Sequence, residues 1–340
     1  MLKKKHAHKE KKESTHLFLF ILGGVALYFL SGWVDELRVY QGASIAVYVI
    51  AISSIILLTG YSGQVSLGHG ALMAVGAYAA AVLRIEYNLP IILCFVASVL
   101  VAAIGGALLG AAAARLSGPY LAGTTLALAV GLPSLANQFT VLGGEQGLLF
   151  DVGFPPLALG EEFTQYKWFF WIAGLAALIS LWTIRNLLNS AYGRAWKAGR
   201  ANEVAAQLAG INTARSKVLA FTISAGIAGL AGALLAMTIG TVSPSAFPLA
   251  LSFAVLTGAV LAGITTLGGV IVGAVVLVII PEIADLIAHK LGSSESVITN
   301  LPGLIVSGLL ILTVLFVPNG PVEQHRARKA KHEALLGSTH

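Results

Sequence analysis

The sequence predicts an all-α protein, a polytopic bundle of membrane-spanning helices, and three observations carry that prediction. Of its 340 residues 57% are hydrophobic and 11% charged, whereas soluble domains carry about 25% charged residues. The apolar residues gather in runs of about 20, the length a helix needs to cross a bilayer's hydrocarbon. The 21 Lys and Arg cluster between those runs. Basic clusters separated by apolar runs are the footprint of membrane topology, so the net charge of +6 points to no nucleic-acid partner.

Taken in order, the runs lie at 17–34, 43–59, 67–83, 90–114, 119–141, 168–185, 215–240, 248–264, 268–289 and 302–317. They predict about ten spans in a domain over 17–318, flanked by basic tails at 1–16 and 319–340. The first run follows a lysine-rich stretch, as a signal peptide would. It ends in "SGWVDELR" instead of a small-residue cleavage site, and reads as a retained anchor. The run at 248–264, one of the shorter ones, is the candidate for a re-entrant segment. With the N-terminus placed in the cytosol, seventeen of the 21 Lys and Arg fall on the cytosolic side. Both termini are then cytosolic, and the outer loop at 142–167 carries Glu145, Asp151, Glu161 and Glu162. The lone Cys94 has no disulfide partner within the chain.

Absences narrow the mechanism. Charge within a span is costly and marks ion-coupling paths, yet the centres of these runs lack Asp, Glu, Lys and Arg. Glu282 and Asp285 come nearest, after Pro281 and toward the outer end of their run, where a cap or an interhelical hydrogen bond is the expected role. No G-x-x-x-x-G-K-[ST] occurs to cradle nucleotide phosphates. No H-E-x-x-H, C-x-x-C or G-x-S-x-G appears either. No metal site, catalytic residue or cofactor is expected, and energy for uphill movement would have to come through a partner.

Three stretches carry specific signals. In 215–240, Ser224, Ala228, Gly232, Ala236 and Gly240 recur every four residues, beside Ala225, Gly229 and Ala233. Ala102, Gly106 and Gly110 repeat the theme in 90–114. Small residues at such spacing let helices approach closely in lipid, and tight packing is the expected use. The stretch "GYSGQVSLGHGALMAVGAY" sets Gln64, Ser66 and His69 among Gly60, Gly63, Gly68 and Gly70 at the mouth of a span. Its glycines permit unusual backbone, and its polar side chains can satisfy backbone groups freed where a span breaks. The central segment 189–214 is basic. The sequence predicts one helix over 194–209, stopped by Gly210, with Ala195, Ala198, Asn202, Ala205, Ala206 and Ala209 on one small-residue face. Such a face suits a groove on another protein; the alternative is a helix lying on membrane lipid through its basic residues.

Together, "GYSGQVSLGHGALMAVGAY", "LSGPYLAGTTLALA", "GGEQGL", "AYGRAWKAGRANEVAAQLAGIN" and "AFTISAGIAGLAGALLAMTIGTVSPSAF" resemble the permease of branched-chain amino acid ABC transporters, in its M-type form, over about 42–318. The resemblance implies a type II importer subunit paired with a second permease. It implies two cytosolic ATP-binding subunits, which would hold the ATP, and an extracytoplasmic solute-binding protein. It implies a multi-pass protein of the plasma (inner) membrane that is not itself an enzyme. "NEVAAQLAGIN" is similar to the family's coupling motif, and the residues carried over are Arg200, Asn202, Glu203, Ala205, Ala206, Gly210 and Ile211. A translocation path past Gly60, Gln64, Ser66, His69, Thr124, Thr125 and Asn137 is the accompanying expectation, with a purely structural role for His69 beside it. The chain departs from the family pattern in "AGITTLGGV", where Ala262, Thr265 and Val270 replace two glycines and a proline, and at Val130, near the place of a glutamate. The alternatives are a permease for urea or short amides, an ion-coupled secondary transporter, or a membrane scaffold.

Overall fold

In a computed structural model the described residues run from 35 to 290 apart from 117, 157–158 and 161–162, with isolated positions at 23–24 and between 301 and 315. Both basic tails, Glu161, Glu162 and most of the runs 17–34 and 302–317 lie outside the described residues.

The chain builds helix α1 (Glu36–Ile55), which ends in a π-helical turn at Ile56–Tyr61, then α2 (His69–Tyr87), α3 (Ile91–Ala113) and α4 (Pro119–Gln138). After a loop come α5 (Gln165–Asn189), two short helices α6 (Ala191–Ala201) and α7 (Glu203–Leu208), and the long α8 (Thr213–Ile239). Helices α9 (Leu249–Ala262) and α10 (Val270–Lys290) follow. Two short strands, β1 (Leu148–Leu149) and β2 (Thr241–Val242), pair antiparallel with Leu148 opposite Val242. They tie the loop at 142–167 to the end of α8, and Arg84 adds a hydrogen bond from Nε to the Asp151 carbonyl at 3.2 Å.

Among the described residues eight helical segments are long and apolar enough to cross a membrane, and they coincide with the eight middle runs. The segment over 248–264 forms a helix of only 14 residues, about 21 Å at 1.5 Å per residue. With the 3-10 turn before it, the segment reaches 19 residues.

Helix α8 is the centre of the bundle, and its small residues explain why. A Cβ on Gly229 would stand 2.7 Å from the Ser98 carbonyl oxygen of α3, and Gly76 of α2 meets the backbone of Gly229 itself. Gly106 faces the Phe221 carbonyl, and Gly232 faces that of Met73. These are backbone-to-backbone approaches that any side chain would hold open, so the predicted stripes pack α8 against α2 and α3. Gly105, one residue along, has open space beside it, on a face of α3 that also exposes Leu100, Ile104 and Leu108. Elsewhere Gln41 of α1 donates from Nε2 to Glu282 of α10, and Arg38 Nη1 donates to Gln41 Oε1 at 3.3 Å. The interhelical bond expected of Glu282 therefore forms, and Pro281 stays inside an unbroken α10.

One expectation is corrected here. The helix predicted over 194–209 is broken at Asn202, whose backbone is extended (φ −159°, ψ 111°). Asn202 Oδ1 accepts from the Ala205 N–H at 3.0 Å, so the asparagine ends α6 and caps α7. An Asn side chain competes well for backbone donors at such a position. The single small-residue face does not form: Ala206 is buried and Ala205 exposed.

Candidate coupling and translocation site

The polar loop after α1 closes on itself. Gln64 N–H donates to the Leu58 carbonyl at 3.2 Å, and Thr59 Oγ1 donates to the Gln64 carbonyl at 3.0 Å. Position 60 in the π turn takes glycine because a Cβ there would run into the Ile264 carbonyl, 2.9 Å from its carbon. The Tyr61 hydroxyl donates to the Thr265 carbonyl at 2.8 Å. The stretch that departs from the family pattern thus packs against this turn.

Deeper in, five elements converge on His69, which is fully buried. Its Nε2 is 3.1 Å from Ser54 Oγ and 3.2 Å from Ser224 Oγ. Both hydroxyl protons are already committed, Ser54 to the Ala51 carbonyl at 2.7 Å and Ser224 to the Ser54 carbonyl at 2.8 Å. Nε2 must therefore be the donor, which leaves Nδ1 to accept from Ser66 Oγ at 3.4 Å. Thr125 Oγ1 of α4 accepts from the Leu67 N–H at 3.0 Å, and Ser252 Oγ of α9 accepts from the Gly70 N–H at 2.9 Å. Side chains from α4 and α9 thus satisfy backbone donors that the chain leaves free where it enters α2.

The basic segment is fastened to the same region. Arg200 Nη1 donates to the Gly60 carbonyl, and its stem packs on Gly63, where φ is +75°. Lys197 Nζ lies 5.2 Å from the Tyr61 ring centroid, within cation–π range. Trp196 is buried and donates from Nε1 to the Ser216 carbonyl at 2.9 Å. Glu203 pairs with Lys217 at 2.8 Å. The hydrogen bond from Lys217 is the main reason its carboxyl is held below the usual glutamate range, ahead of the ammonium's charge; burial opposes both. Past α7, Gly210 takes φ +84° and the Ile211 N–H returns to the Ala206 carbonyl at 3.0 Å. With the polar residues tied inward, Val204 and Leu208 stand 66% and 86% exposed. Between loop and segment lies a cavity of about 520 Å³ whose lining includes Gln64, Arg200, Asn202, Glu203 and Lys217.

Of the residues singled out by sequence, Gly60, Ser66, His69 and Thr125 come together with Arg200, and Gln64, Asn202 and Glu203 border the adjoining cavity. Thr124 bonds its own helix, to the Tyr120 carbonyl at 2.9 Å. Asn137 is exposed, twelve residues past Thr125 and so about 18 Å along α4. Neither joins the cluster. Ser54, Ser224, Ser252, Trp196 and Lys217 do, although the sequence pattern does not assign them to the site.

The class these features define is a multi-pass helical membrane protein with a buried polar junction under a short helical pair. The chain belongs to the family described as branched-chain amino acid transport system / permease component, whose model matches residues 40–315. It is 33% identical over 315 residues to the Escherichia coli K12 high-affinity branched-chain amino acid transport system permease protein LivM, covering 86% of this chain and 71% of that protein. It is 33% identical over 297 residues to LivM of Salmonella typhimurium, covering 81% of this chain and 67% of that one. The Escherichia coli permease protein LivH is 30% identical over 191 residues, 56% of this chain and 54% of its own length. No solved structure gives a significant match.

Proposed function

We propose that the chain is the membrane-spanning permease subunit of an ATP-driven importer for branched-chain amino acids, paired with a second permease in a bacterial inner membrane. Two cytosolic ATPases bind the ATP, and a solute-binding protein delivers substrate to the outer face. The bundle carries ten spans with both termini in the cytosol, which puts the segment 189–214 on the ATPase side. The names of the LivM and LivH relatives support the substrate class and the second permease.

The observation that carries the coupling claim is the division of labour within 189–214. Arg200, Asn202 and Glu203 hold the segment's shape and its seat on the bundle. Val204, Ala205 and Leu208 are left facing outward. Two bare aliphatic side chains on a two-helix projection are what a groove on a partner takes up; Ala206 is buried beneath them, and Gly210 and Ile211 turn the chain back through the Ile211 N–H to the Ala206 carbonyl. A stroke delivered to this projection passes through Arg200 to the Gly60 carbonyl. From there the π turn reaches the His69 junction, where α1, α2, α4, α8 and α9 meet. The translocation path runs past Gly60, Gln64, Ser66 and Thr125, with His69 as its structural anchor and with Thr124 and Asn137 farther out on α4.

Co-purification tests the docking. Leu208→Glu in the otherwise intact transporter should leave the permease in the membrane but strip the ATPase subunits from it. Retention of those subunits with transport at the normal rate would overturn the assignment.

A further inference from the structure

The cavity of about 520 Å³ beneath α6 and α7 has a lining that docking alone does not use. Its charged residues are Arg200, Lys217 and Glu203, two cations against one carboxylate. Arg200 commits Nη1 to the Gly60 carbonyl, and the rest of its fork has no partner among the described residues. A guanidinium fork is the group that best grips a carboxylate. Lys217 donates to Glu203 Oε2 at 2.9 Å and lies 2.8 Å from Oε1, and an ammonium carries three donors. Glu203 itself weighs against phosphate, because a dianion there would face a carboxylate. The same lining contains Val65, Leu121 and Ile264, which can cover an aliphatic group.

We propose that this cavity binds a small aliphatic amino acid, its carboxylate held by Arg200 and Lys217 and its ammonium facing Glu203. Because one wall is the α6–α7 pair and the other the loop after α1, an occupant fastens the two together and slows the stroke. The site therefore senses the product on the side where it is released. The feedback half rests on the reading that 189–214 meets the ATPases; the binding half does not.

The test uses the full transporter, with its partner subunits and solute-binding protein, in nanodiscs. As free L-leucine is raised beyond what saturates the binding protein, ATP hydrolysis should fall by about fivefold or more, the scale of an ordinary coupling between sites. L-Leucinamide lacks the carboxylate and should leave hydrolysis nearly unchanged. Val65→Trp, which fills the cavity from a position outside the docking surface, should make hydrolysis insensitive to leucine. No inhibition by leucine, equal inhibition by leucinamide, or undiminished inhibition in Val65→Trp overturns the feedback claim. If the ATPases do not assemble on the chain, the coupling reading fails separately. Equilibrium dialysis of radiolabelled L-leucine against the permease then decides the site: saturable binding that Val65→Trp abolishes supports it, and its absence ends it.

Discussion

His69 illustrates how a polar residue survives fully buried in an apolar bundle. Its two ring nitrogens meet three serine hydroxyls, and the serine protons that go to carbonyls fix which nitrogen donates. Removing the ring leaves hydroxyl lone pairs on Ser54 and Ser224 without a donor, a loss of about 1–3 kcal/mol for buried polar groups. His69→Leu should therefore lower the thermal midpoint of the detergent-solubilised protein, and His69→Gln, which keeps a donor, should lower it less; equal midpoints for the two would contradict the network. Glu203 gives a second prediction. Its folded pKa is lowered chiefly by the Lys217 hydrogen bond, so the stabilisation is fully present above the unfolded value and is lost as pH falls through the lowered folded one. Amide exchange across 202–211, corrected for intrinsic rates, should quicken as pH drops below the normal glutamate range. In Glu203→Gln the segment should already exchange faster at neutral pH and show no acid step. Much of this site could be read from sequence, because polar residues crowded among glycines stand out beside an apolar run. Ser54, Ser224 and Ser252 could not, since a single hydroxyl in an apolar helix ordinarily bonds its own preceding turn. Lys217 was hidden by the 14 residues that separate it from Glu203.

At the scale of elements, the stripe in α8 and the break at Asn202 make opposite lessons. Periodicity of four in small residues translates directly into a helix face, and that face packs on α2 and α3 as its spacing implies. Gly229→Val should accordingly disrupt the bundle, costing about 1–3 kcal/mol or more as overpacking does, while Gly105→Ala, facing open space, should be nearly silent. Thermal melts of both variants check this, and a melt of Gly229→Val matching the parent would refute the packing. The segment 194–209 misleads because alanine-rich composition favours helix at nearly every position. A lone Asn within it is weak evidence from sequence alone. It becomes a cap only because Arg200, Trp196 and the Glu203–Lys217 pair hold α6 and α7 at a fixed place on the bundle, so tertiary contacts override propensity.

For the whole molecule, run lengths and charge placement define the class, because hydrocarbon thickness and the cost of burying charge act on every span alike. They also locate the eight helical segments among the described residues that are long and apolar enough to cross a membrane. They do not reveal which helix is central, since hydropathy does not follow burial: α3 has the highest mean hydropathy yet is only 22% buried over its most apolar stretch, against 67% for α8. Single cysteines placed at 188–192 and at 153–155, in a Cys94→Ser background, test the orientation. A membrane-impermeant maleimide added outside intact cells should label only the 153–155 positions, and the reverse pattern would invert the proposed topology.

The central claim is that this bundle moves solute only when partner subunits drive it. The direct measurement is uptake of radiolabelled L-leucine into proteoliposomes, first with this chain alone and then with the second permease, the ATPases, the solute-binding protein and ATP. Accumulation above the external concentration should occur only in the complete, ATP-supplied system. Accumulation by the chain alone would contradict the account.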